Sequence, residues 1–219
     1  IKNEDTGETE LYFEGPISDS TWLGDEITPG IFKDELSKHP GNLTVWLCSP
    51  GGDVFAASQI YTMLRNHKGR ITVKIDSLAA SAASVVAMAG DETFISPTGM
   101  LMVHNPSTIA MGNKAEMEKV ITLLDEVKES IINAYEEKSH LSRNKIAKMM
   151  DDETWLNAKR RFSLDLWTAF FLQTRKISHR LTPMRRKKAM SLIKRILQKN
   201  PKKMRKNRNR TSKEKHLIL

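Results

Sequence analysis

An α/β fold is what the sequence predicts, on three observations. Short apolar runs alternate with stretches of helical periodicity, a Ser-Pro-Gly-Gly turn follows the most apolar of those runs, and a long amphipathic helix lies beyond the last strand-like segment. Alternation of this kind builds a largely parallel sheet whose strands are joined by right-handed crossovers.

The elements follow in order. Leu11–Phe13 and Leu43–Leu47 read as strands, the second apolar enough to be buried on both faces. Between them Ile31–Leu36 reads as a helix closed by His39-Pro40-Gly41. After the turn at Ser49-Pro50-Gly51-Gly52, Val54–Leu64 carries apolar residues at helical spacing. Arg70–Ile75 reads as a strand, Ala79–Met88 as a helix of small residues, Thr93–Ile95 as a strand, and Met100–Val103 as an apolar run leading into His104. Glu116–Lys138 is the clearest amphipathic helix, with Met117, Val120, Ile121, Leu124, Val127, Ile131 and Ile132 three and four residues apart on one face. Ser142 is placed to cap a last short helix, Asn144–Met150.

Charge divides the chain sharply. The whole carries +9, which suggests a nucleic-acid partner until it is split. Residues 160–219 hold 20 Lys and Arg against 2 acids, whereas residues 1–159 hold 15 against 24. The body is therefore acidic and only the tail is basic. No apolar run approaches the length that spans a bilayer, and no signal-peptide pattern opens the sequence, so no membrane association and a cytoplasmic location are expected. The single cysteine, Cys48, precludes an internal disulfide and is expected to be a buried structural thiol.

Two turns have the makings of a reactive site. Hydrolysis by a serine needs a hydroxyl with a base beside it, a group that orients the base, and N–H donors for the oxyanion. Gly51-Gly52 allows a backbone that approaches a ligand closely, and Ala79-Ala80-Ser81-Ala82-Ala83 leaves one hydroxyl among small side chains. Either turn alone is equally well a packing device. Together, and followed by Met102-Val103-His104-Asn105-Pro106, they form an ordered set.

That set resembles the proteolytic subunit of the Clp protease (the ClpP family) over residues 11–159. Ser77–Gly90 aligns to the family's nucleophile segment without a gap, and the register holds from His104 to Trp155. Trp46, Asp53–Ala57 and His104–Thr108 look most like the phage and prophage branch, whose members are called head-maturation proteases. The resemblance implies a ClpP/crotonase-like spiral of βαβ units and a serine endopeptidase acting on peptides or unfolded proteins. It implies Ser81 as nucleophile, His104 as base, and the N–H groups of Gly52 and Ala82 as oxyanion hole. For the third member, ungapped register favours Glu153, with Asp152 the alternative after a one-residue slip and Asp151 beside them. It also implies a homo-oligomeric ring and, since the sequence has no nucleotide-binding loop, a separate ATPase that unfolds substrates. No metal site or cofactor is expected.

The domain organisation expected is an N-terminal segment, 1–10, a peptidase domain, 11–159, and a basic tail, 160–219, that is out of frame or disordered. Relatives continue beyond Trp-Leu-Asn-Ala with Glu-Ala-Val-x-Leu-Gly-Phe-Val-Asp, whereas this chain reads Lys159-Arg160-Arg161-Phe162-Ser163-Leu164-Asp165-Leu166-Trp167. Permitted codons for Lys159–Phe171, read from the last base of the Lys159 codon, translate as Glu-Ala-Val-Phe-Leu-Gly-Phe-Val-Asp-Gly-Ile-Phe. A shifted frame also turns acidic, A-rich codons into Lys and Arg codons, which accounts for the change of charge. Three other readings compete: a decayed, inactive relative, an acyl-CoA enzyme of the crotonase superfamily using the same paired amides, and a nucleic-acid binder acting through the tail.

Overall fold

Eleven elements account for most of the residues described in the structure, a computed structural model, which are 9–21, 24–139 and 141–158. All of these belong to one compact unit. The strands are β1 (Thr9–Glu14), β2 (Leu43–Ser49), β3 (Ile71–Ala80), β4 (Glu92–Ile95), β5 (Met100–Val103) and β6 (Thr154–Asn157). The helices are α1 (Pro29–Ser37), α2 (Val54–Arg65), α3 (Ala82–Ala87), α4 (Lys114–Lys138) and α5 (Arg143–Asp151).

The sheet runs β1-β2-β3-β5-β6, and β4 joins it off that path through β3. All pairings are parallel except β5 with β6. β3 organises the arrangement by exchanging partners along its length. Its first half, Thr72–Ile75, pairs with β4, and its last residues, Leu78–Ala80, pair with β5. On the other side, the β2–β3 register jumps between Leu47 and Ser49, where Leu47 faces Ile75 but Ser49 faces Ala79. The extra residues of β3 bend it, as bulges do, and carry its end towards the loop after β2. The mixed α/β architecture agrees with the fold class read from the sequence.

One boundary differs. Ala79 and Ala80, expected to open a helix, are the last residues of β3, and the helix starts only at Ala82. Small side chains are compatible with either state; here the backbone groups are claimed on both sides, by β2 and β5. Tertiary pairing overrides a weak local preference of this kind.

Helix ends follow their capping chemistry. Thr28 accepts from the Ile31 N–H ahead of Pro29, and Asp53 accepts from the Ala56 N–H at 2.7 Å. Asn113 and Glu116 form a reciprocal capping box at the start of α4. Ser142 stands at the N-cap of α5 but contributes its backbone carbonyl rather than its hydroxyl.

The core is a single cluster built on Phe13, Val45, Leu47, Ile60, Val73, Val86 and Ile132. Only the second half of α4 takes part. Val127, Ile131, Ile132, Ala134 and Tyr135 are buried, while Ile121 and Leu123 are 60% and 50% exposed. Cys48, expected to be buried, is half-exposed and lies 2.8 Å from the Ser77 hydroxyl. It lies on the same face of β2 as the partly buried Trp46, opposite the buried face of Val45, Leu47 and Ser49.

Candidate active site

Three loops converge at the C-terminal ends of the central strands. The Ser49–Gly52 turn leaves β2, Ser81 joins β3 to α3, and His104 follows β5. Because β3 pairs with both β2 and β5 at its end, the three segments cannot be far apart. Pairing of Ser49 with Ala79 and of Ala80 with Met102 sets their spacing.

Ser81 adopts φ 54° and ψ −127°, a conformation rare for a residue with a Cβ. Its N–H donates to the Met102 carbonyl at 3.0 Å, which ties the turn to β5. The Ser81 Oγ lies 2.7 Å from His104 Nε2, so the two residues singled out in the sequence are joined by a hydrogen bond. A bond of that length lets the imidazole take the hydroxyl proton.

Gly51 and Gly52 need to be glycine. Both have positive φ, 95° and 141°, and a Cβ on Gly52 would stand 2.0 Å from the Ile17 carbonyl oxygen. The strand-like bridge to Ile17 explains that closeness: Ile17 N–H donates to the Gly51 carbonyl and Asp53 N–H to the Ile17 carbonyl. Neither the Gly52 N–H nor the Ala82 N–H has an acceptor among the described residues. Both residues line the same cleft of about 260 Å³ as Ser81 and His104. Its apolar walls are Val85, Leu124, Val127 and Ile131, with Phe55 and Leu123 more exposed. The arrangement offers a hydroxyl with its base, two free donors and an apolar recess.

The acids after α5 are placed less simply. Val103 pairs with Thr154 in the antiparallel β5–β6 ladder, so the register brings the Glu153 backbone beside His104. The Glu153 carboxylate, however, lies 3.3 Å from the Trp155 indole nitrogen, and its backbone has φ 43°. Asp152 pairs with Lys148 at the surface. Among the described residues no carboxylate is hydrogen-bonded to His104.

Asp151 is joined to the residue after the histidine, a connection not foreseen from sequence. It accepts from Asn105 Nδ2 at 2.9 Å and from Lys128 Nζ at 2.6 Å, so α4, α5 and the residue after His104 meet at one carboxylate. Lys128, then Asn105, hold the Asp151 carboxyl below the usual carboxylate range. The pattern that could have indicated this is weak: an amide following the base and a lysine on the helix opposite. Among the described residues no group of three or more His, Cys, Asp or Glu is placed to hold a metal.

A serine hydrogen-bonded to a histidine in a cleft of an α/β sheet is an arrangement that serine hydrolases on several folds use. The chain belongs to the Clp protease family, whose model matches residues 11–163. It is 31% identical over 117 residues to the ATP-dependent Clp protease proteolytic subunit 2 of Treponema denticola, covering 52% of this chain and 58% of that protein. It is 28% identical over 153 residues to the proteolytic subunit 1 of Chlamydia abortus, covering 68% and 78%. The Bacteroides thetaiotaomicron proteolytic subunit is 27% identical over 142 residues, with 62% and 64% covered. The chain thus spans less than two thirds of the Treponema and Bacteroides proteins, and more than three quarters of the Chlamydia one.

Proposed function

We propose that this chain is a serine endopeptidase that hydrolyses peptide bonds in peptides or unfolded proteins. The observation that carries the reading is the 2.7 Å contact between Ser81 Oγ and His104 Nε2 in a cleft edged by two unengaged N–H groups. As the Ser81 oxygen attacks the carbonyl carbon, its proton passes to His104 Nε2. The N–H groups of Gly52 and Ala82 receive the oxyanion. Collapse of the tetrahedral species breaks the C–N bond, and His104 returns the proton to the departing amine. Water then repeats the sequence on the acyl-serine, releasing the acid and restoring Ser81.

Glu153 is the residue we assign to orient His104, a reading supported by the β5–β6 register, in which Val103 faces Thr154 and the two backbones at His104 and Glu153 are therefore neighbours. A rotation away from Trp155 would bring the carboxylate to bear. Asp152, one residue earlier, is the alternative after a one-residue slip.

The relatives are named as subunits of an ATP-dependent protease. By extension, this chain would assemble into a homo-oligomeric ring and receive substrates from a separate ATPase. The exposed apolar residues on the first half of α4, Ile121 and Leu123, support a contact with other subunits. The phage-branch likeness suggests processing of phage proteins. The tail, 160–219, lies outside the described residues, as does the N-terminal segment apart from Thr9 and Glu10. We read the tail as out of frame, a reading supported by a family match that ends at residue 163. Among the described residues no helix is long and apolar enough to cross a membrane.

The test is covalent labelling by a fluorophosphonate together with hydrolysis of an unstructured peptide. Ser81→Ala should lose both while keeping the fold; removal of the serine from such a triad costs roughly six orders of magnitude in rate. Undiminished labelling of Ser81→Ala would place the nucleophile elsewhere. Labelling also separates this reading from an acyl-CoA enzyme, which has no need of an activated serine.

A further inference from the structure

Below Ser81 lies a pair of buried hydroxyls that the proposed hydrolysis does not use. Ser84, in α3, is fully buried, and Tyr135, in α4, is 4% exposed. The Ser84 Oγ lies 2.5 Å from the Ser81 carbonyl oxygen and 2.6 Å from the Tyr135 hydroxyl. A serine hydroxyl has one proton to give. The carbonyl can only accept, so the Ser84 proton goes to Ser81 and the Tyr135 hydroxyl donates to Ser84. The order of donors is thereby settled: Tyr135 to Ser84 to the Ser81 carbonyl. We propose that this Tyr135–Ser84 relay is a positioning device that holds Ser81 in its attacking conformation; the inference rests on the reading of Ser81 as nucleophile.

The need for such a device follows from the backbone. At φ 54° and ψ −127° Ser81 is strained, and strain of this kind persists only where the surroundings over-determine it. Three bonds do so here. The Ser81 N–H is held by Met102, and the Ser81 carbonyl is held twice by Ser84, through the N–H at 2.9 Å and through the hydroxyl. Without the hydroxyl bond the Ser81 carbonyl is held by the Ser84 N–H alone, and the peptide unit after Ser81 is less firmly fixed against rotation. That peptide carries the Ala82 N–H, one of the two oxyanion donors, so one rotation disturbs both the nucleophile and the hole. Burial raises the Tyr135 phenol well above its ordinary value, which keeps it a donor. Bonds arranged in series polarise one another, so the relay acts as a unit. It also joins α4, which walls the cleft through Val127 and Ile131, to the turn that bears the reactive serine.

Two variants and their combination separate positioning from mere stability. Ser84→Ala should lower kcat about tenfold with KM changed less than about twofold, because the missing bond acts on the reacting groups and not on the cleft walls. The pH profile should keep its shape, since His104 is untouched. Ser84→Ala also leaves the Tyr135 hydroxyl buried without a partner, which lowers Tm. In Ser84→Ala/Tyr135→Phe that orphan is gone, so Tm should rise towards wild type while kcat stays at the Ser84→Ala level. Tyr135→Phe alone should lower kcat about threefold, and the effects should not add. Recovery of kcat together with Tm in the double variant would overturn the proposal, as would wild-type kcat in Ser84→Ala. Amide hydrogen exchange at Ser81–Ser84 is the second measurement. It should accelerate in Ser84→Ala and in the double variant, and an unchanged rate would overturn the positioning claim even if the wild-type chain took up no fluorophosphonate. That last result, in turn, would defeat the peptidase reading and not the relay.

Discussion

Replacing Gly51 by alanine tests the geometry of the site at its tightest point. Gly51 has φ 95°, and a Cβ there would stand 2.6 Å from the Ala80 oxygen, 2.8 Å from the Ser81 Cβ and 2.9 Å from the Ala82 nitrogen. Ordinary contact begins near 3.4 Å, so the serine turn must give way by about 0.5–0.8 Å. All three atoms belong to that turn, and two of them, Ala80 O and Ala82 N, are backbone with no rotamer to escape into. A misplacement of 1 Å at reacting groups costs on the order of 100-fold in rate, so kcat should fall between about 10- and 100-fold. The left-handed backbone adds about 1–2 kcal/mol of strain, or roughly 2–8 °C in Tm for a chain of this size. Gly24→Ala is the control, because Gly24 has φ 88° but nothing within 4 Å of a Cβ. It should share the Tm loss and keep full activity. Peptide hydrolysis and thermal unfolding of the two variants decide the matter. If Gly51→Ala and Gly24→Ala have equal kcat, the close approach of the two turns is not what positions Ser81.

Other expectations concern the acids and the tail. Glu153→Gln should cost several orders of magnitude in kcat if Glu153 orients His104, as the corresponding change does in serine proteases, and Asp152→Asn should cost little; near-wild-type rates for both would remove the third member altogether. Asp151 has its folded carboxyl pKa lowered, first by the Lys128 bond and then by Asn105. Its contribution to stability is therefore present above the ordinary aspartate value of about 3.9 and is lost as pH falls through the lower folded value. The Tm gap between wild type and Asp151→Asn should accordingly be open at pH 6, narrow as pH falls below about 3.9 and close once pH is below the lowered folded value, and a gap that does not vary with pH would contradict the ion pair. Sequencing the DNA should show codons at Lys159–Phe171 that give the family ending in the neighbouring frame. Restoring that frame should raise Tm, ring assembly and a low starting activity, because an added apolar strand buries surface at about 25 cal/mol per Å²; a fully active native chain would argue against the shift.

What the sequence determined by itself is local. The apolar run Leu43–Leu47 marks a strand whose Leu43, Val45 and Leu47 face is fully buried, although Trp46, on the other face, is only partly covered. Asp53 and Asn113 mark helix starts because a cap needs only residues within one turn. Ser81 and His104 could be singled out because a serine among alanines and a histidine after an apolar strand stand in an order that resembles the family's, and the two side chains do meet. The tertiary structure alone decided how these pieces meet. β3 exchanges β4 for β5 midway, and that exchange turns Ala79 and Ala80 into strand and throws Ser81 into a positive φ. The direction of an acid's side chain depends on the β5–β6 register together with the dihedral angles at Glu153, so three adjacent carboxylates could not be told apart in sequence. Ser84 and Tyr135 are 51 residues apart and leave no mark on periodicity, for a hydrogen bond between two helices constrains a pair of positions and not a pattern. The same limit applies to α4: its apolar stripe is continuous along the chain, but its buried residues begin only at Val127, while Leu124 lines the cleft and Ile121 is exposed.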